Sequence, residues 1–268
     1  MQITDGVEML ELAVNILGKT HVVYPTLIKD KDTIILVDAG YPMQLPQIRK
    51  SLDLAGIPFT KLKAVILTHH DLDHLGSVPE IIHELKVDVL AHKIEKRYIE
   101  GKLSPLRLEQ LEANPKIPEQ AIEYINNFFA LNKIKVTQTL TDGEILPYCG
   151  GITVVHTPGH TKGHISLYLN KSKILIPGDA LVLEKGILTL AANYTNYNTE
   201  LCIKSLWKLL KYDIEAIICY HGGLYQGNVK QRIAELAFNE QPNELIDDMG
   251  YSSDFGPEYF RRKFQKRI

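Results

Sequence analysis

This chain of 268 residues predicts an α/β fold. Short apolar runs of strand length recur between residues 21 and 221, segments with helical periodicity separate several of them, and many runs end in polar residues and glycine. Strand and helix alternating in this way is what a sheet covered by helices requires. The composition agrees, since 45% hydrophobic and 23% charged residues are ordinary for a globular protein with a real core.

Residues 21–28 (HVVYPTLI) and 33–40 (TIILVDAG) read as neighbouring strands, with the charged KDKD between them as the turn. Residues 46–56 (PQIRKSLDLAG) read as a helix that stops at a glycine. The continuous apolar run 63–69 (KAVILTH) is expected of a strand covered on both faces. A helix over 77–86 and a strand over 87–92 follow. Residues 93–132 break this rhythm and are rich in Lys, Glu, Leu, Asn and Pro, with EQAIEYINNFFAL as the clearest helical piece. They read as a helical insertion over or beside the strand ends. Strands resume at KVTQTL, GITVVHT, ISLYLN and KILIPGD with the spacing of hairpins. Residues 199–212 are amphipathic, 215–221 (EAIICYH) form a last buried strand, and two helices close the chain. No low-complexity linker divides the sequence, so a single domain over 1–268 is the economical expectation.

The net charge of −2 gives no overall attraction to nucleic acid. The basic tail with Arg261, Arg262, Lys263, Lys266 and Arg267 reads as a solvated end. Asp5, Glu8 and Glu11 interrupt the N-terminal segment before an apolar stretch develops, which fits neither a signal peptide nor a membrane span. Cys149, Cys202 and Cys219 lack metal-type spacing and fit reduced thiols in a cytoplasm. A soluble cytoplasmic protein without a membrane partner is expected. The amphipathic helices leave a homodimer open.

Chemistry concentrates in AVILTHHDLDHLGS, residues 64–77. Side chains alternate in an extended segment, so His69 and Asp71 point one way and His70 the other. Asp73 and His74 follow as the chain turns into a helix. Two imidazoles and two carboxylates can converge there, a donor set suited to zinc or iron and able to bridge two metals. His160 in TPGHTKGH, Asp179 in IPGDA and His221 in CYHGG stand at later strand ends beside glycine turns, where open sheets present functional groups.

In their order these segments resemble the metallo-β-lactamase fold hydrolases. That family carries a His-x-His-x-Asp-His run after a buried strand, then a His, a bridging Asp and a final His on later strands. LVDAG and TPGHTKGHISLYL also look like family segments, and the resemblance spans about residues 20–225. It implies an αββα sandwich, two mixed sheets flanked by helices, with two divalent metal ions at one edge. By the resemblance His69, Asp71 and His160 hold one ion, Asp73, His74 and His221 the other, and Asp179 bridges. Asp38 becomes a buried acid near the site, and His164 orients a ligand by hydrogen bond. His21, His83, His92 and His156 receive no role.

The family pattern has histidine where this chain has Asp71. His70 cannot replace it without a one-residue slip that would disturb Asp73 and His74, so Asp71 is the expected ligand. Two divalent ions against Asp71, Asp73 and Asp179 leave one formal positive charge, which a bridging hydroxide cancels. The more anionic shell lowers the pKa of bound water less, and it favours manganese or iron relative to zinc. Zinc is the expected ion, with iron or manganese open.

The expected reaction is hydrolysis by a metal-bridging hydroxide, with Asp73 also the catalytic residue that orients the nucleophile. A small acyl substrate, lactone or thioester, leads. A phosphodiester is the alternative, and RNA is disfavoured by the charge. Tyr194 and Tyr197 in AANYTNYN are the expected substrate-binding residues. Flavodiiron proteins carry a carboxylate at the position of Asp71, so a di-iron redox enzyme is a further reading. A non-catalytic metal-binding scaffold is another.

Overall fold

The computed structural model describes residues 1–239 apart from 17, 32 and 113–117, and leaves the side chains of 107, 109, 110 and 239 undescribed. The basic tail lies outside the described residues. Of the two helices expected to close the chain, Val229–Asn239 is described.

Two mixed sheets form the centre. The first runs, edge to edge, through Gln2–Thr4, Val7–Met9, Thr26–Lys29, Ile34–Val37, Leu62–Leu67, Asp88–His92 and Gln138–Leu140. The second runs through Ile145–Leu146, Ile152–His156, Ile165–Leu169, Ile174–Ile176, Ala216–Cys219 and Gly223–Gln226.

Strand alternation sorts their side chains into three layers. Ile35, Val37, Ala64 and Ile66 of the first sheet meet Val154, Leu167, Ile176 and Ile218 of the second in an inner layer. The alternate residues Leu36, Val65 and Leu67 face outward and pack with Ile48 and Leu52 of the helix Leu45–Leu54 and with Ile81 of Val78–Glu84. On the other side Leu175, Ile217 and Cys219 pack with Leu206 and Leu209 of Thr199–Leu209 and Ile233 of Val229–Asn239. The helix Thr199–Leu209 starts where the Asn198 side chain accepts from the Leu201 backbone N–H, one of the donors a helix start leaves free. Helix, sheet, sheet, helix is the αββα sandwich. Both faces of the central strand are covered over residues 64–67, which is why AVIL within KAVILTH is apolar throughout.

Two strand expectations need correction. The run 21–28 is not one strand: Pro25 cannot donate to a ladder, and the chain breaks there into Lys19–Val23 and Thr26–Lys29. The first piece pairs with Leu12–Ile16 in a separate two-stranded sheet. Nor is KVTQTL the start of a hairpin. Gln138–Leu140 pairs in parallel with Asp88–His92, in the sheet opposite Ile152–His156. The helices Glu95–Ile99, Leu106–Glu112 and Glu119–Leu131 therefore lie within the crossover that a parallel pair requires.

Strand direction gathers the chemistry at one rim. Ile34–Val37 and Leu62–Leu67 are parallel, and they deliver Asp38 and residues 68–74 from their C-terminal ends. In the second sheet Ile152–His156 and Ile174–Ile176 both oppose Ile165–Leu169, so they share one direction, and Ala216–Cys219 is parallel to the latter. His160, Asp179 and His221 thus all follow the C-terminal ends of co-directional strands. Among the described residues no helix is long and apolar enough to cross a membrane.

Candidate metal centre

The seven metal-type residues named from the sequence come together at the strand ends. Their donor atoms fall into three overlapping groups, each within 4.8 Å: His69, Asp71 and His160; His69, His74 and Asp179; and Asp73, His74 and His221. Oδ2 of Asp71 lies 3.3 Å from Nε2 of His160 and 3.7 Å from Nε2 of His69. Oδ2 of Asp73 lies 3.3 Å from Nε2 of His221. Asp179 reaches both sides, with Oδ1 3.2 Å from Nε2 of His74 and Oδ2 3.5 Å from both His160 and His221.

The rings of His69, His74 and His160 are each turned by a bond to the other nitrogen. The Thr68 hydroxyl donates to Asp38 Oδ2 at 2.8 Å and accepts from Nδ1 of His69 at 3.0 Å. Asp38 also takes the Nδ1 proton of His74 at 2.9 Å and the Thr68 backbone N–H at 2.9 Å. Asn196 Oδ1 accepts from Nδ1 of His160 at 3.1 Å. Fixing a proton on Nδ1 leaves Nε2 as the free lone pair facing the centre, the arrangement a ligating imidazole needs. Asp38 reaches this place in the left-handed region, at φ +58°. His164 accepts the Asp179 backbone N–H on Nε2 at 2.9 Å, while its Nδ1 meets Thr157, so it positions Asp179 through the main chain. Gly178 has to be glycine: its φ is +56°, and a Cβ there would stand 2.6 Å from Nε2 of His164.

His70 points away from the donor groups. Its Nδ1 pairs with Glu95, its Nε2 accepts the Leu106 N–H at 3.2 Å, and its ring stacks on Tyr98 at 4.4 Å.

The electrostatics call for cations. Burial opposes charge on Asp71, yet hydrogen bonds from His160 and His69 hold its carboxyl well below the usual range. Burial likewise opposes charge on His74, but Asp179, Asp38 and Asp73 outweigh it and raise the imidazole well above its ordinary value. Asp179 and Asp73 push His221 up to about 10 against the effect of burial. Three buried polar atoms, Nε2 of His69, Nε2 of His74 and Oδ1 of Asp179, have no hydrogen-bond partner. Buried lone pairs left facing one another are costly, and a cation between them removes that cost. Imidazole nitrogens and carboxylates are the donors that zinc, iron or manganese take, so the residues present fit divalent metal ions.

A cavity of about 470 Å³ opens over the centre. The sequence places Tyr194 and Tyr197 at the substrate; the structure puts Tyr194 81% exposed and Tyr197 47% exposed, with Lys162 above the Tyr197 ring. The 3₁₀ turn Asn193–Thr195 gives the cavity Thr195 instead, beside Ala191 and Ala192. Several supporting residues carry no mark of their role in the sequence. They are Thr68, Glu95, Asn196, Tyr220, whose ring stacks on His74 at 3.8 Å, and His21, which reaches the cavity from the Lys19–Val23 strand. Asn196 lies within AANYTNYN, the segment whose tyrosines draw the attention.

A sandwich with an imidazole–carboxylate cluster on its strand ends defines a class of metalloprotein, and sequence comparison gives the class its name. The metallo-beta-lactamase superfamily pattern matches residues 19–221, and the chain belongs to that superfamily. The probable metallo-hydrolase YflN of Bacillus subtilis is 29% identical over 233 residues, 81% of this chain and 86% of that protein. The hydroxyacylglutathione hydrolase GloC of Haemophilus influenzae is 28% identical over 154 residues, 57% of this chain and 62% of that protein. A metallo-beta-lactamase family protein from Thermus thermophilus shares the fold with a TM-score of 0.69 and 24% identity, over 88% of this chain and 79% of that one. This chain is an enzyme of the metal-dependent hydrolase class.

Proposed function

We propose that the chain is a dinuclear metal-dependent hydrolase acting on a small acyl compound, a lactone or a thioester. His69, Asp71 and His160 hold one ion in this reading, Asp73, His74 and His221 the second, and Asp179 bridges them. The observation that carries it is Asp179, whose Oδ2 lies 3.5 Å from both His160, of the first donor set, and His221, of the second, while its Oδ1 lies 3.2 Å from His74, also of the second. Two divalent cations bound there supply a water-derived nucleophile at neutral pH and polarise the acyl oxygen.

The chain's own residues do the rest. Asp38 and Thr68 hold His69 and His74 in the tautomer that presents Nε2. Asp73, with its Oδ2 close to both His221 and His74, is placed to accept a hydrogen bond from the attacking water and aim its lone pair. Hydrolysis forms one acyl C–O bond to the water oxygen and breaks the bond to the leaving oxygen or sulfur. One water proton goes to the leaving group. Asp71 in place of a neutral ligand makes the centre less positive, which suits attack on a neutral acyl carbon better than on a phosphodiester anion.

Elemental analysis of protein grown without metal supplementation, followed by a lactone, thioester and phosphodiester panel, tests this. The expected result is about two ions per chain and acyl hydrolysis that chelation abolishes. One ion per chain, or turnover of phosphodiesters alone, would overturn it.

A further inference from the structure

The cavity above the centre has two chemically different parts. Its floor is polar, with Asp71, Asp73, Asp179 and His221. A wall of Pro105, Leu108, Leu111, Ile125 and Phe129 comes from the segment between Asp88–His92 and Gln138–Leu140. Leu108 and Leu111 are three apart on the helix Leu106–Glu112, and Ile125 and Phe129 four apart on Glu119–Leu131. At those spacings each helix offers one apolar stripe, and both stripes reach the same cavity. Leu108 and Phe129 are at once well packed, at 6% and 8% exposure, so the wall is fixed in place.

Outside the donor groups, the charge around this wall is negative. Among the described residues lining the cavity there is no lysine or arginine, and outside the donor groups, whose carboxylates bound cations would offset, the formal charge is Glu184. Glu184 sits on the hairpin strand Val182–Glu184, outside the donor groups. A carboxylate or phosphate on the non-reacting part of a substrate, laid along the wall away from the metal centre, would meet Glu184 and apolar side chains with no paired lysine or arginine among the described lining residues, and would lose its hydration for nothing in return. An uncharged chain loses only contact with water, which is favourable.

We propose that the substrate is an uncharged ester or lactone whose non-reacting part is an apolar chain laid along Pro105, Leu108, Leu111, Ile125 and Phe129. This rests on the hydrolase reading and narrows it. Charged acyl carriers such as acidic peptide thioesters are then poor substrates. The first turn of the wall is tied to the centre itself, because the Leu106 N–H donates to His70, the residue between His69 and Asp71. The chain's anchor and its reacting carbonyl are therefore placed by one connected stretch of structure.

The test is a homologous series of straight-chain γ-lactones, with matching compounds that end in a carboxylate, assayed on the metal-loaded full-length protein. Each added methylene should raise kcat/KM by about fourfold until the wall is covered, the factor that ~0.8 kcal/mol per buried methylene gives at ~1.36 kcal/mol per tenfold. The carboxylate-ended compounds should be at least about tenfold worse at equal length. A second readout needs no turnover: calorimetric binding of 5-alkyl γ-lactams should tighten with chain length and show a negative heat-capacity change. Phe129→Ala and Leu108→Ala should flatten both slopes. A flat series with intact hydrolysis of the shortest lactone would overturn the apolar-chain proposal and leave the hydrolase standing. Preference for the carboxylate-ended compounds would also overturn it. Lactams that bind with a chain-length slope, with no lactone hydrolysed, would support the wall and overturn lactones as the substrate.

Discussion

Glu95 and His70 form a fully buried pair, carboxylate against imidazole Nδ1. The other oxygen of Glu95 accepts from the Thr161 hydroxyl at 2.7 Å and the Gly163 N–H at 2.8 Å. His70 lies between His69 and Asp71, and Thr161 follows His160. One carboxylate thus clasps both loops that carry the donor group His69, Asp71 and His160, without touching the donors themselves.

Replacing Glu95 by glutamine leaves one acceptor where there were two, so one half of the clasp is lost. Glu95→Gln should weaken one of two metal sites by about 10–100-fold, the range for groups that support metal ligands, and leave the other near its original affinity. A chelator-competition titration resolving two dissociation constants checks it. Equal weakening of both would show a general loss of folding instead.

Asp71 and His70 are adjacent but face opposite ways, and their removal should differ accordingly. Asp71→Ala is expected to purify with about one ion per chain. His70→Ala, whose ring serves Glu95 and Leu106, should still hold two when metal is saturating. Metal counts in the reverse order would reject Asp71 as a ligand.

Asp38 gathers three donors on one carboxylate: the Thr68 N–H, the Thr68 hydroxyl and Nδ1 of His74. An asparagine in its place would keep one acceptor oxygen and introduce a donor. Asp38→Asn should therefore cost about 1–3 kcal/mol for each buried donor left alone. It should also release the His74 ring. Urea unfolding of the metal-free protein measures the first effect and metal affinity the second. A variant matching the original in both would remove Asp38 from any supporting role.

His92, outside the donor groups, predicts a pH dependence of its own. Its ring stacks on His156 at 4.3 Å, and burial, reinforced by the charge of His156, lowers its pKa to about 4 from the ordinary 6.5. The unfolded chain takes up this proton below about 6.5, the folded chain only below about 4. Stability from this group is therefore complete above the higher value, falls as pH drops through the window, and is fully lost below the lower one. His92→Gln should flatten that part of the stability curve. Parallel curves for the two proteins from pH 7 to pH 4 would refute it.

Local chemistry is legible in the sequence and distant support is not. Residues 69–74 declare themselves because alternation over a few positions decides which side chains meet. The same alternation turns His70 away, but nothing local shows that it grips Glu95, 25 residues on. Asn196 and Tyr220 are invisible for the same reason, since their partners His160 and Asp73 are brought to them only by the fold. The strands Gln2–Thr4 and Val7–Met9 are too short and mixed in polarity for periodicity to register. KVTQTL belongs to the sheet that hairpin spacing does not suggest, because spacing does not say which strand becomes the neighbour.

The donor groups draw on both sheets, His69, Asp71, Asp73 and His74 from one and His160, Asp179 and His221 from the other. A cation bound among them is also a cross-brace, riveting the rims of two layers otherwise joined by the apolar seam between them. Each such rivet adds about 4 kcal/mol when free metal stands a thousandfold above its dissociation constant. Stripped of its ions, the sandwich should loosen first along that rim, and proteases should find their earliest cuts in the loops that carry the donors.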